Sequence, residues 1–115
     1  LFDNLLPDLN IGDNSGKSCA NEITLGIQKV CQSINTHTYV VNGRFRGGWT
    51  TRHYGAPEEG VHAVQMELAQ RVYLKSESVP FDYDEEKAAS LRSVLSDILH
   101  GINNTILEYS SGVSS

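Results

Sequence analysis

From Asp84 to Tyr109 the chain repeats its apolar residues at one spacing: Ala88, Leu91, Val94, Leu95, Ile98, Leu99, Ile102 and Ile106. That period predicts one long amphipathic helix. Asp84 suits its N-cap, and Glu85 and Glu86 suit the positive end of its dipole. A helix with one apolar stripe has to bury it, so the residues before Asp84 must supply the surface it covers. A second helix is predicted over residues 21–34, where Ile23, Ile27, Val30, Cys31 and Ile34 recur at helical spacing opposite Gln28 and Lys29. Gly26 weakens that helix.

Between the helices the pattern changes to short β-rich runs. Thr38 to Val41 reads as a strand closed by the turn signal Asn42-Gly43. In GRFRGGWTTRHYG, the glycines at 43, 47 and 48 permit an irregular backbone, and Trp49 to Tyr54 reads as a second strand. APEEG is a turn, and residues 61–68 make a third strand. Residues 1–19, with Pro7, Gly12, Gly16 and several Asp and Asn, read as a surface loop. Helix, strands, helix suggests an α/β or α+β domain with an incomplete sheet. One domain is expected over residues 1–109 of the 115, with SSGVSS at 110–115 as a polar tail.

Net charge is −5, which disfavours a nucleic-acid or anionic-membrane surface, and no apolar run approaches membrane-spanning length. The first ten residues, LFDNLLPDLN, carry no basic leader region. A chain that begins with Leu is expected to be processed, or a piece of something longer. The arginines are unevenly placed: Arg44, Arg46, Arg52 and Arg71, four of the five, lie in residues 42–71, which hold no lysine. Arginine suits bidentate capture of carboxylate or phosphate, so a small anion is the expected ligand of this stretch. Cys19 and Cys31 fit no zinc motif and read as two reduced cysteines.

Glu67 is the most pointed candidate, because GVHAVQMELAQR otherwise reads as a buried strand. By alternation Ala63, Gln65, Glu67 and Ala69 share one face, and His62, Val64, Met66 and Leu68 the other. A face of Ala, Gln, Glu and Ala is either solvated or the floor of a cleft, and the pattern leans to the solvated face. A buried carboxylate there would have a raised pKa and could act as a general base. Among the histidines, His53 beside Arg52 is the best placed for a polar site. His62 reads as a satisfied core histidine. No histidine pair has metal-site spacing, and no phosphate loop, nucleophile elbow or dinucleotide fingerprint is present.

LPDLNIGDNSGKSC, then VVNGRFRGGWTTRHYGAPEEGVHAVQMELAQRVYL, then PFDYDEEKAASL, together resemble the N-formylglutamate amidohydrolase family. NGRF, GG, TRHYG and H-A-x-Q-x-E-L-A-Q-R carry the likeness, which runs through about residues 1–100. The resemblance implies a three-layer α/β fold, a mixed sheet with helices on both faces, similar to that of zinc carboxypeptidases and aspartoacylases. It also implies metal-dependent hydrolysis of N-formyl-L-glutamate to formate and glutamate, a step of histidine degradation in the cytoplasm.

By position, the resemblance makes Glu67 the general base and Arg44 and Arg52 the clamps on the substrate's carboxylates, with Asn42 and His53 as neighbours. Arg46 stands where the family often has lysine. The likeness covers only about the C-terminal half of the family, so the divalent metal, zinc by expectation, would be held by residues upstream of Leu1. The expected partners are a small dicarboxylate and the missing half of the domain, with no nucleic acid and no membrane. On its own the chain is expected to be inactive. The alternatives are a non-catalytic dicarboxylate-binding module, or a fragment that self-associates to cover an open sheet edge.

Overall fold

The structure, a computed structural model, describes residues 6–112. Its elements are β1 (Leu9–Gly12), α1 (Asn21–Ser33), β2 (Tyr39–Val41), α2 (Trp49–Tyr54), β3 (Gln65–Leu68) and α3 (Glu85–Gly112), with single 3-10 turns at Pro57–Glu59 and Gln70–Val72. The sheet order is β2-β1-β3. β1 runs parallel to β2, to which α1 connects it, and antiparallel to β3, so the sheet is mixed.

The central strand is the one that the sequence presents as a loop. Leu9-Asn10-Ile11-Gly12 is only four residues long and is flanked by Pro7, Asp8, Asp13 and Asn14. Turn-forming neighbours hide it from any local pattern. What makes it a strand is pairing on both sides, which satisfies its backbone groups from β2 and β3 together. Leu9 and Ile11 are buried, and they face Ile27 and Cys31 of α1 and Leu91, Val94 and Ile98 of α3.

Both long helices therefore pack on one face of the sheet, giving two layers, where helices on both faces are expected from the resemblance. The opposite face carries Asn10, Gln65 and Glu67 beside the single apolar Val40, so it is mostly polar and offers little for a helix to bury. Gly26, a weak point for helix propensity, has a packing reason. A Cβ there would overlap Thr105 of α3, and one on Gly101 would overlap Val30 of α1, so the two glycines let the helices approach closely. α3 starts at the expected cap, with the Lys87 N–H donating to Asp84 Oδ1 at 3.0 Å. It runs to Gly112, through the first residues of the expected tail; residues 113–115 lie outside the described part. Leu99 departs from the predicted stripe: it is 62% exposed, whereas Ile98 is 3% exposed.

α2 replaces the strand expected over Trp49 to Tyr54. Trp, Thr and Tyr favour strands in general, but here the local bonds are helical. The Arg52 N–H donates to the Gly48 carbonyl and the Gly55 N–H to that of Thr51, both at 3.1 Å. Helical spacing also stacks Trp49 on His53 with ring centroids 4.3 Å apart. β3 begins at Gln65 rather than Val61, which instead forms an isolated bridge with Ala56 across the Pro57–Glu59 turn. Cys19 and Cys31 are both buried and unbonded, as reduced cysteines, and burial pushes both thiols up. Among the described residues no helix is long and apolar enough to cross a membrane.

Candidate active site at the strand ends

The parallel strands β1 and β2 finish side by side at Gly12 and Val41, and β3, running the other way, begins beside Gly12 at Gln65. In α/β sheets, ligands bind beyond the carboxyl ends of parallel strands. At this edge the chain places Asp13, the loop at residues 42–48 with Arg44 and Arg46, the helix α2 with Arg52 and His53, and Gln65.

The loop is fixed at both ends. At its start Asn42 adopts φ +53°, a left-handed conformation that Asn tolerates better than most residues. Its Oδ1 accepts the Asp13 and Ser15 N–H groups at 3.1 and 3.3 Å, and its Nδ2 donates to Asp13 Oδ1 at 2.7 Å. Further on, the Arg46 carbonyl accepts the Asn14 N–H at 2.7 Å and lies against Gly12, where any Cβ would collide with it. Arg44 and Arg46 are exposed.

Asp13 is buried. Burial alone would raise its pKa, but hydrogen bonds from Asn42, Thr24 and the Gly16 N–H outweigh that and hold it below the usual aspartate value. Sequence reading missed Asp13, since inside a run of turn formers nothing distinguishes it from a solvated aspartate.

Gln65 joins two of the predicted groups. Its Oε1 accepts the Gly48 N–H at 2.5 Å and lies 3.4 Å from Thr51 Oγ1, which holds the head of α2. Its Nε2 donates to Glu67 Oε1 at 3.1 Å. Glu67 is paired across the strands with Asn10, whose Nδ2 donates to the Glu67 carbonyl at 3.3 Å. Glu67 is exposed, so its strand is not the buried one that its apolar neighbours suggest. The shared face of Gln65 and Glu67 was the legible signal of this link.

Arg52 and His53 are exposed on α2. The Arg52 Nε donates to the Gly48 carbonyl at 3.4 Å, so the guanidinium folds back over the start of its helix. His53 lies between Trp49 and Tyr54, edge-on to the latter at 4.7 Å. Arg71 is spent elsewhere: it pairs with Asp8 at 2.8 Å and donates to the Leu6 carbonyl, tying the start of the described chain to the turn after β3. His62 is a satisfied structural histidine, its Nδ1 accepting the Ala20 N–H at 3.0 Å ahead of α1. Among the described residues, no three His, Cys, Asp or Glu side chains come together to hold a metal ion.

The model of the N-formylglutamate amidohydrolase family matches residues 1–74, which include every residue of this edge. The N-formylglutamate deformylase of Pseudomonas aeruginosa is 45% identical over 102 residues, covering 89% of this chain and 38% of that protein. The N-formylglutamate deformylase of Pseudomonas putida is 44% identical with the same coverage. The chain thus spans well under half the length of these relatives. The crystal structure of an N-formylglutamate amidohydrolase from Ralstonia eutropha JMP134 superposes with a TM-score of 0.74 at 19% identity, over 90% of this chain and 36% of that one.

Proposed function

The chain belongs to the N-formylglutamate amidohydrolase family, and from that premise we propose that it supplies the substrate clamp and the general base of an enzyme that hydrolyses N-formyl-L-glutamate. The observation that carries this reading is the Gln65 bridge, which ties the Glu67 carboxylate to the head of the helix bearing Arg52. A base and a cation held through one side chain can act on the two ends of one small substrate.

In this reading Arg44 and Arg52 each receive a carboxylate of the dianionic substrate, with Asn42 and His53 flanking them. Arginine forks match carboxylates, and two of them fix the formamide by orientation. Glu67 takes a proton from the water that attacks the formyl carbon. The carbon–nitrogen bond then breaks, the proton passes to the leaving amine, and formate and glutamate depart. An exposed Glu67 suits this role once a substrate and the rest of the domain enclose it.

The divalent metal implied by the family likeness finds no ligand set among the described residues, and we place its ligands in the part of the relatives that this chain does not match. That same part is proposed to cover the polar sheet face and complete a three-layer fold of the zinc carboxypeptidase type.

The test is reconstitution. The chain is fused to the unmatched portion of the Pseudomonas putida deformylase, divalent metal is supplied, and formate release from N-formyl-L-glutamate is measured. Formate release supports the proposal. Binding of N-formylglutamate without release would instead make the chain a dicarboxylate-binding module.

A further inference from the structure

The proposed hydrolysis gives no task to Asp13, yet this carboxylate sits at the most cross-linked point of the strand-end edge. It is 3% exposed. One oxygen, Oδ1, accepts from Asn42 Nδ2 at 2.7 Å and from the Gly16 N–H at 2.8 Å; the other, Oδ2, accepts from Thr24 Oγ1 of α1 at 2.7 Å. Asn42 returns the contact by accepting the Asp13 N–H at 3.1 Å. Only a side chain with both a donor and an acceptor completes this reciprocal pair.

Asn42 is also where the chain leaves β2 and turns toward Arg44, in a left-handed conformation at φ +53°. For a non-glycine residue that conformation persists when its surroundings hold it. The Asn42 N–H donates to the Ile11 carbonyl of β1 at 2.7 Å, and its side chain is held by Asp13 and Ser15. The next anchor of the loop is the Arg46 carbonyl, which is bonded to the Asn14 N–H at 2.7 Å. Both anchors therefore stand on the turn that Asp13 organises.

We propose that Asp13 is a positioning residue for the anion site: acting through Asn42, its carboxylate sets the loop that carries Arg44 and Arg46. The functional half of this inference rests on Arg44 being one of the two substrate clamps proposed above; the structural half does not. An ionised acceptor suits the task, because charge-assisted hydrogen bonds are stronger than neutral ones. Thr24 provides the internal control. It binds the same carboxylate from the helix side without touching the loop, so a merely structural role for Asp13 would make Thr24→Ala mimic Asp13→Ala.

Two readouts on the full chain decide it: amide hydrogen exchange at Asn14, whose N–H spans to Arg46, and calorimetric titration with N-formyl-L-glutamate. Asp13→Ala removes three accepted bonds, of which the one from Asn42 faces the loop; it is expected to speed Asn14 exchange roughly tenfold beyond its effect on global stability, the share of that one hydrogen bond, and to weaken dianion affinity by a similar factor. Asp13→Asn keeps an Oδ1 acceptor and is expected to recover much of both. Thr24→Ala, compared at matched global stability, is expected to leave both near wild type.

The proposal is overturned if Asp13→Ala leaves Asn14 exchange unchanged, or if Thr24→Ala at matched stability reproduces its effects. If the wild-type chain binds no dianion, the exchange result still decides the loop-setting role, and the clamp assignment is what fails. An Asp13→Ala chain too unstable to study leaves the decision to Asp13→Asn and Asn42→Gly. Asn42→Gly keeps the left-handed turn and removes the amide. It is expected to speed Asn14 exchange as Asp13→Ala would, and wild-type exchange in it counts against the proposal.

Discussion

Gln65 and Glu67, two residues apart on one face of β3, share a hydrogen bond of 3.1 Å in which the Gln65 amide donates to the Glu67 carboxylate. The same amide accepts the Gly48 N–H with its oxygen at 2.5 Å, so its orientation is set from the other side. An amide can do both; a carboxylate or an alkyl chain cannot.

Substituting Gln65 tests that coupling. Gln65→Glu still accepts from Gly48 but turns an acceptor toward Glu67. In the reconstituted enzyme, kcat for formate release is expected to fall roughly ten- to a hundredfold, the range for loss of a hydrogen bond to a charged group, with a smaller change in KM. Steady-state kinetics checks this, and an unaltered kcat would remove Gln65 from the site.

Arg44→Lys and Arg52→Lys keep the charge and lose the fork. KM for N-formyl-L-glutamate is expected to rise about tenfold in each, with kcat changed less, because a planar bidentate contact is replaced by a point charge. Arg71→Lys is the contrast. Its guanidinium holds Asp8 and the Leu6 carbonyl, so its effect is expected on thermal stability and not on KM.

Asp13 gives the fold a pH signature. Its folded pKa is depressed below the ordinary aspartate value of 3.8, because hydrogen bonds from Asn42, Thr24 and Gly16 outweigh the opposing effect of burial. A depressed carboxylate contributes stability that is present above the unfolded value and is lost as pH falls through the folded one. Urea denaturation between pH 6 and pH 2, a window of about four units around that value, is expected to show this loss in the wild-type chain. In Asp13→Asn the slope below pH 4 is expected to be shallower; equal slopes would exclude Asp13 as its source.

Legibility followed locality. Both long helices were readable because their apolar residues repeat within a few turns, and Asp84 announced the start of α3. The central strand was not, because four residues among turn formers become a strand only through pairing with Tyr39–Val41 and Gln65–Leu68, far away in the chain. α2 was misread for the opposite reason. Its residues favour strands, but Gly48 and the Trp49–His53 stack settle them into a helix. At the proposed site, residue types pointed to Arg44, Arg46 and Arg52 and left Glu67 open between a solvated face and a cleft; the family resemblance singled out Arg44, Arg52 and Glu67, while Gln65 and Asp13 enter through hydrogen bonds that no spacing announces.

The edge of the α3 stripe offers a further check on packing. Ile98 is 3% exposed and Leu99 62%. Ile98→Ala is expected to cost about 2–5 kcal/mol, as for other buried large-to-small changes, and Leu99→Ala less than about 0.5 kcal/mol, as for ordinary surface changes. Chemical denaturation of the two variants checks the helix orientation, and comparable losses would contradict it.

The most direct measurement is formate release by the reconstituted enzyme carrying Glu67→Gln. This substitution keeps the side chain's shape and its neighbour Gln65, and removes the proton acceptor. Hydrolysis is expected to fall by roughly 10²–10⁴-fold, the usual contribution of a general base, while the affinity for N-formyl-L-glutamate stays within a few-fold. Formate release at the wild-type rate would show that Glu67 is not the base and that the proton is taken elsewhere.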